Sequence, residues 1–142
     1  MPFQLIYSSA ANGDMPRHEL EKILAQARAR NRSLDVTGLL VYVDGVFLQI
    51  LEGEREAVSK LMEKIAHDPR HRDVKGFREA DTEHRSFASW QMAFVSPSAR
   101  EFAAWAGLEG ATTVEATLAA LQSDLDRVPR IVVSLLGALS EA

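Results

Sequence analysis

Three observations on this 142-residue chain predict an α+β fold of the ferredoxin-like kind, a five-stranded mixed sheet with two helices on one face. Apolar runs of strand period and stretches of helical period alternate as β-α-β-β-α-β, with one further strand after them. An Asp44-Gly45 pair separates two of the runs by two residues, a strong hairpin signal. Both faces of that hairpin are apolar, so both faces of the sheet need covering, and the helical pattern after Pro97 can cover the second.

The first run, Phe3-Gln4-Leu5-Ile6-Tyr7-Ser8, puts Phe3, Leu5 and Tyr7 on one face, because side chains alternate along a strand. Asn12-Gly13-Asp14 reads as a turn, with Asp14 as N-cap and Pro16 in the first turn of a helix running to about Asn31. The stripe of that helix is Leu20, Ile23, Leu24 and Ala27, and Asn31 falls four residues further on, on the buried side. Gly38 to Val43 is the second strand and Val46 begins the third. The two-residue turn sets Val43 opposite Val46 and Leu40 opposite Gln49. Glu54 to His67 is a second amphipathic helix, with Val58, Leu61, Met62 and Ile65 inward and Glu56 placed to pair with Lys60. Asp68-Pro69-Arg70-His71 closes it. Val74 to about Asp81 reads as the fourth strand. Trp90 to Val95 reads as the fifth, with Trp90, Met92 and Phe94 on one face. Beyond Pro97 come Ser98 to Ala106, Val114 to Arg127, and a last helical piece from Ile131, the first two parted by Gly107-Leu108-Glu109-Gly110. In this plan the first and third strands are expected to be parallel central neighbours, with Tyr7 beside Gln49 and a slot between the two helices above them.

The composition is ordinary for a folded domain, 46% apolar and 25% charged. Sixteen basic against twenty acidic residues give a net charge of −4, and no basic stripe points to nucleic acid. The absence of cysteine excludes disulfides, thiolate metal sites and thiol catalysis. No apolar run is long enough to span a membrane, and the N-terminus lacks a charged-then-apolar leader, so a cytoplasmic protein is expected.

Gln49 bears most directly on function. It interrupts the otherwise apolar Val46-Phe47-Leu48-Gln49-Ile50-Leu51, and a buried amide must find hydrogen-bond partners or destabilise the fold. Tyr7, Asn31, Trp90 and Met92 belong to the same expected core. Singly, each has an ordinary reading: Tyr7 as core with its hydroxyl at an edge, Asn31 as a C-cap, Gln49 satisfied by backbone, Trp90 and Met92 as packing, Arg70 as a surface charge. Together they suit a planar, partly polar ligand slid between the helices, meeting Asn31 from above and Tyr7 and Gln49 from the sheet. An amide both donates and accepts, which matches a ring edge of alternating carbonyls and ring nitrogens. Flavin, adenine and pterin all carry such an edge.

The chain resembles the BLUF domains, blue-light sensors that use FAD. The likeness runs from residue 3 to about 95. It rests on Tyr7, Ala27-Arg28-Ala29-Arg30-Asn31, Thr37-Gly38-Leu39-Leu40, Phe47-Leu48-Gln49-Ile50-Leu51-Glu52-Gly53, Asp68-Pro69-Arg70-His71 and Arg85-Ser86-Phe87-Ala88-Ser89-Trp90-Gln91-Met92. The resemblance implies a flavin-binding domain over residues 1–97 and a helical extension, 98–142, packed on it. It implies FAD as cofactor, with FMN or riboflavin as alternatives. Asn31 would hold the C4 carbonyl and N3 edge, Arg70 the C2 carbonyl with Asp68 orienting that end, and Gln49 would bridge Tyr7 to N5 and O4. Ile23, Leu40 and Ile65 would be apolar walls, and Arg28 and Arg30 would approach the phosphates. Ala27 departs from the family, where many relatives carry serine. By the same resemblance, light drives an electron and a proton from Tyr7 and leaves Gln49 in a new hydrogen-bonding state that shifts the absorption to the red. Trp90 and Met92 then relay the change to the C-terminal helices and to a separate downstream protein. The chain would be a sensor and not an enzyme.

Two alternatives stand beside this reading. A small acylphosphatase-like hydrolase would use the same scaffold without flavin, but Ser8-Ser9-Ala10-Ala11-Asn12-Gly13 carries no arginine to cradle an anion. In the tail, Val114, Leu118, Leu121, Leu125, Val128, Val132 and Leu135 alternate by four and three as a heptad seam would, which suggests a homo-oligomer. Pro129 is expected to break that run, which favours two short helices covering the sheet.

Overall fold

Asp44 and Gly45, at φ of 45° and 80°, turn β2 (Thr37–Val43) into β3 (Val46–Gly53). Positive φ at both central residues gives the turn whose twist matches that of the flanking strands, and Gly45 adopts it without steric cost. Val43 faces Val46 and Leu40 faces Gln49, the register a two-residue turn imposes. β1 (Phe3–Ala11), β4 (His71–Asp81) and β5 (Ala93–Val95) complete a five-stranded sheet in the order β4-β1-β3-β2-β5. The computed structural model describes the whole chain except residues 12–14, 70, 109–112, 125 and 141–142, with backbone only at His71 and Ser140.

β1 and β3 are antiparallel neighbours, not parallel as expected. The crossover through α1 (Arg17–Leu34) makes β1 and β2 run the same way, and the hairpin then reverses β3. Tyr7 is still the direct cross-strand partner of Gln49. β5 lies parallel to β2, which makes the sheet mixed. β4 begins at His71 rather than Val74. Two register shifts against β1, and Asp73 at φ 54°, let the longer strand stay in the ladder.

α1 runs one turn further than expected and ends at Asp35 in the left-handed conformation. Asn31 is therefore a buried residue inside the last turn and not a cap. Pro16 starts the helix, while the expected cap Asp14 lies outside the described residues. α2 (Arg55–Ala66) follows β3, with Glu56 and Lys60 paired at 3.1 Å on its exposed side.

The fifth strand is half the expected length. Trp90, Gln91 and Met92 precede it as irregular chain, tied to β2 by Gly38 N–H donating to the Trp90 carbonyl at 3.0 Å. Trp90 and Met92 do not share a face. Met92 is buried on the α1–α2 side, whereas Trp90 packs with Phe87 on the other.

Three helices cover that other face: α3 (Ala99–Trp105), α4 (Val114–Ser123) and α5 (Arg127–Ser140). Ser98 and Glu101 form a reciprocal capping box at the start of α3, and the Thr113 hydroxyl caps α4. α5 starts four residues earlier than expected. Pro129 stands in its first turn, where a missing N–H costs no intrahelical bond, so it begins a helix instead of breaking one. The heptad run is thus split between α4 and α5, and its Leu125 lies outside the described residues.

Two apolar layers result. Leu5, Leu40, Phe47 and Leu51 of the sheet meet Leu24, Ala27, Val58, Leu61 and Ile65 of α1 and α2. Ile6, Leu39, Val41, Leu48 and Ile50 meet Phe102, Val114, Leu121, Ile131 and Leu135 of α3–α5. Each such side chain stabilises the fold by about 1.5–3 kcal/mol when fully buried. Among the described residues no helix is long and apolar enough to cross a membrane.

Candidate functional site

Strand alternation points Tyr7, Leu40, Phe47 and Gln49 to the helical side, and the inward stripes of α1 and α2 supply Ile23, Ala27 and Ile65 above them. Together with Ser9, Arg30 and Asp68 these side chains line a slot between the helices and the sheet. The space it encloses is about 480 Å³ when the part open to solvent is counted. The walls are mostly apolar, with the amide and phenol grouped on the sheet and the charged groups of Arg30 and Asp68 at the helix ends.

The Tyr7 hydroxyl donates to Gln49 Oε1 across the β1–β3 pair, and both residues are buried. Gln49 Nε2 lies 3.8 Å from Met92 Sδ, a weak acceptor, so the amide spans from the phenol to the irregular segment before β5. Burial drives the phenol pKa far above its ordinary value. The Arg30 guanidinium opposes that rise and the Asp68 carboxylate adds to it. Tyr7 is therefore held as the neutral phenol, with its proton directed at the amide oxygen.

Of the residues singled out from sequence, the slot brings together Tyr7, Ile23, Leu40, Gln49, Ile65 and Asp68. Met92 reaches the site by its contact with Gln49, while Trp90 stands on the opposite face. Arg70 lies outside the described residues. Asn31 is fully buried one turn beyond Ala27 but does not border the slot. Its Nδ2 donates to the Gln91 carbonyl at 2.6 Å, and its Oδ1 is buried with no hydrogen-bond partner among the described residues. That open acceptor lies one turn along α1 from the slot-lining Ala27, and an N–H donor would satisfy it. The slot's own lining fits a flavin: a flat apolar body between Ile23, Leu40 and Ile65, and a polar edge toward Gln49.

Ala27, expected on the inward stripe and near the glutamine, lines the slot; sequence reasoning missed Phe47 and Ser9, which period-two alternation from Gln49 and Tyr7 would have found. It placed Arg28 near phosphates. Its guanidinium Nε instead donates to the Met92 carbonyl at 3.0 Å. Arg32 reaches the Gln91 side chain at 3.3 Å, so α1 holds the Gln91–Met92 stretch through Arg28 and, one turn on, the adjacent Asn31 and Arg32.

Comparison with known proteins agrees with this geometry. The family model described as sensors of blue light using FAD matches residues 3–93. A photoactivated adenylate cyclase subunit beta from Euglena longa is 42% identical over 89 residues, 62% of this chain and 10% of that protein. The chain thus spans about a tenth of the length of the cyclase relatives, which bear on the sensor segment alone. Among solved structures, the dark-state structure of BlrB, a BLUF protein, superposes with a TM-score of 0.78 at 28% identity over 96% of each chain. The photo-activated state of BlsA gives 0.69 at 30% identity, over 86% of this chain and 95% of that one. None of these matches favours the hydrolase alternative. With the family model spanning well over half of its length, the chain belongs to the BLUF family, the flavin-binding sensors of blue light.

Proposed function

We propose that this chain senses blue light through a hydrogen-bond switch at Gln49, set off by Tyr7, with FAD in the slot. The observation that carries the proposal is the buried Tyr7–Gln49–Met92 chain of polar contacts, which begins at a redox-capable phenol and ends on a segment that crosses between the two faces of the sheet. A bound flavin supplies blue-light absorption and electron acceptance. The remaining roles belong to the protein. With flavin bound, Tyr7 would supply an electron to it and release its proton along the existing bond through Gln49, and both would return to Tyr7 when the ring is restored. Gln49, with an acceptor and a donor on one short side chain, can exchange which end faces the phenol. An ionised glutamate could not donate, and a leucine could do neither. Ile23, Leu40 and Ile65 exclude water, Asn31 Oδ1 accepts from the ligand's N–H edge, and Asp68 with Arg70 orients the far end.

Any exchange at Gln49 alters what Met92 meets. Met92 is two residues from Trp90, which packs with Phe87 beside the C-terminal helices. We infer a core of residues 1–97 that detects light and an extension, 98–142, that presents the result to a downstream protein. A two-state element of this kind needs only a differential contact to be biased. The test is optical. The flavin-loaded protein should be yellow, and blue light should move its absorption reversibly to longer wavelength. A preparation that takes up no flavin, or a loaded one whose spectrum does not move, contradicts the proposal.

A further inference from the structure

Glu52 is a fully buried acid on β3, three residues after Gln49 and on the opposite face of the sheet, and the switch just described makes no use of it. Its carboxylate receives three N–H donors. Oε1 accepts from Phe87 N–H at 2.6 Å, and Oε2 accepts from Ser86 N–H at 2.8 Å and from Gln4 Nε2 at 3.1 Å. A buried carboxylate is costly unless its lone pairs are filled, and hydrogen bonds to a charged group are roughly twice as strong as neutral ones. The long β4–β5 connection is therefore fixed hard at one point, the Ser86–Phe87 turn.

The other end of this connection is held differently. The carbonyls of Gln91 and Met92 each accept a single hydrogen bond from a side chain of α1, Asn31 and Arg28 respectively. Between the two ends, Trp90 N–H donates to the Phe87 carbonyl at 3.1 Å, and Trp90 in turn accepts from Gly38 N–H. One end is thus a charged, buried, two-oxygen clamp, and the other is a pair of single hydrogen bonds beside the slot. A displacement that starts at Met92 must be absorbed in the residues between them, and Trp90 is the large side chain there.

We propose that Glu52 is the positioning residue of the light response: by pinning Ser86 and Phe87 it turns movement of Met92 on the slot face into movement of Trp90 on the α3–α5 face. This rests on the switch at Gln49. An amide at position 52 keeps the shape but has a single acceptor oxygen. Whichever way it sits, either Ser86 N–H or Phe87 N–H meets an NH2 group, and the clamp fails on one side.

The test uses flavin-loaded protein carrying Trp105→Phe, so that Trp90 is the sole tryptophan, with and without Glu52→Gln. The flavin red shift reports the switch, and the light-minus-dark fluorescence of Trp90 reports the transmitted movement. With Glu52→Gln the red shift should stay at full size, while most of the Trp90 response is lost. A full Trp90 response in that variant overturns the role of Glu52 alone. A missing red shift in the parent overturns the switch, and a red shift without any Trp90 response in the parent overturns both the relay and its fulcrum. Should the variant not fold, amide exchange on the parent decides: Ser86 and Phe87 should stay protected in dark and light while Gln91 and Met92 change. Loss of protection at Ser86 and Phe87 under light contradicts the proposal.

Discussion

At the scale of single residues, the chemistry is set by how few polar atoms the slot face of the sheet contains. Tyr7 and Gln49 are buried among aliphatic neighbours, so each has little choice of partner but the other. Burial raises the phenol pKa from an ordinary value of about 10. The sign of the pH effect follows. The folded state keeps its proton where the unfolded chain would lose it, so this contribution to stability is complete below about pH 10 and is lost as pH rises beyond it. An ultraviolet difference titration between the parent and Tyr7→Phe should show no tyrosinate at position 7 before the protein unfolds. Ionisation of that phenol in the folded state would contradict its burial. Asn31 offers a second check at this scale. Its open Oδ1 and its second amide hydrogen are two places for a ligand edge, and a hydrogen bond is worth about 0.5–1.5 kcal/mol net. Asn31→Ala should therefore weaken flavin binding about tenfold or more in an affinity titration.

The elements show where local sequence rules sufficed and where they did not. The Asp44-Gly45 hairpin, its register and the amphipathic stripes of both long helices were legible because each follows from periodicity or turn chemistry within a few residues, whereas the pairing of Tyr7 with Gln49 followed from the strand order of the whole plan. The direction of β1 relative to β3 was misjudged, since it depends on counting reversals across two connections. The reach of α1 past Asn31 and the early start of α5 escaped because caps are weak signals, and a proline in a first turn reads the same as one that breaks a helix. The opposite placement of Trp90 and Met92 could not be read either. Strand alternation was assumed for a segment held by side chains of α1 and by Gly38 instead of by a ladder. Gly38 is a test of that arrangement. A Cβ there would overlap the Ile50 carbonyl oxygen, so Gly38→Ala should lower stability by about 1–3 kcal/mol, read as a fall in thermal midpoint. An unchanged midpoint would mean that β2 and β3 are not packed so closely.

For the whole molecule, the sheet is a partition. One face, with α1 and α2, forms the slot; the other, with α3–α5, is an apolar core of aliphatic and aromatic side chains that also buries Gln4 and Glu52. The connection from β4 to β5 contributes to both, through Phe87 and Trp90 on one side and Met92 on the other, which gives a local change at Gln49 a way to reach the far side. The sheet side of the site was legible from Gln49 and Tyr7, while its helix-side residues came from the family resemblance. The two-sided connection depends on Glu52, whose role no local pattern announces. The account as a whole depends on the amide at position 49, and the decisive measurement is the light-minus-dark absorption spectrum of flavin-loaded Gln49→Leu beside the parent. The parent should shift to the red and recover in darkness, while the variant should bind flavin and show no shift; a variant that shifts as the parent does would contradict the switch.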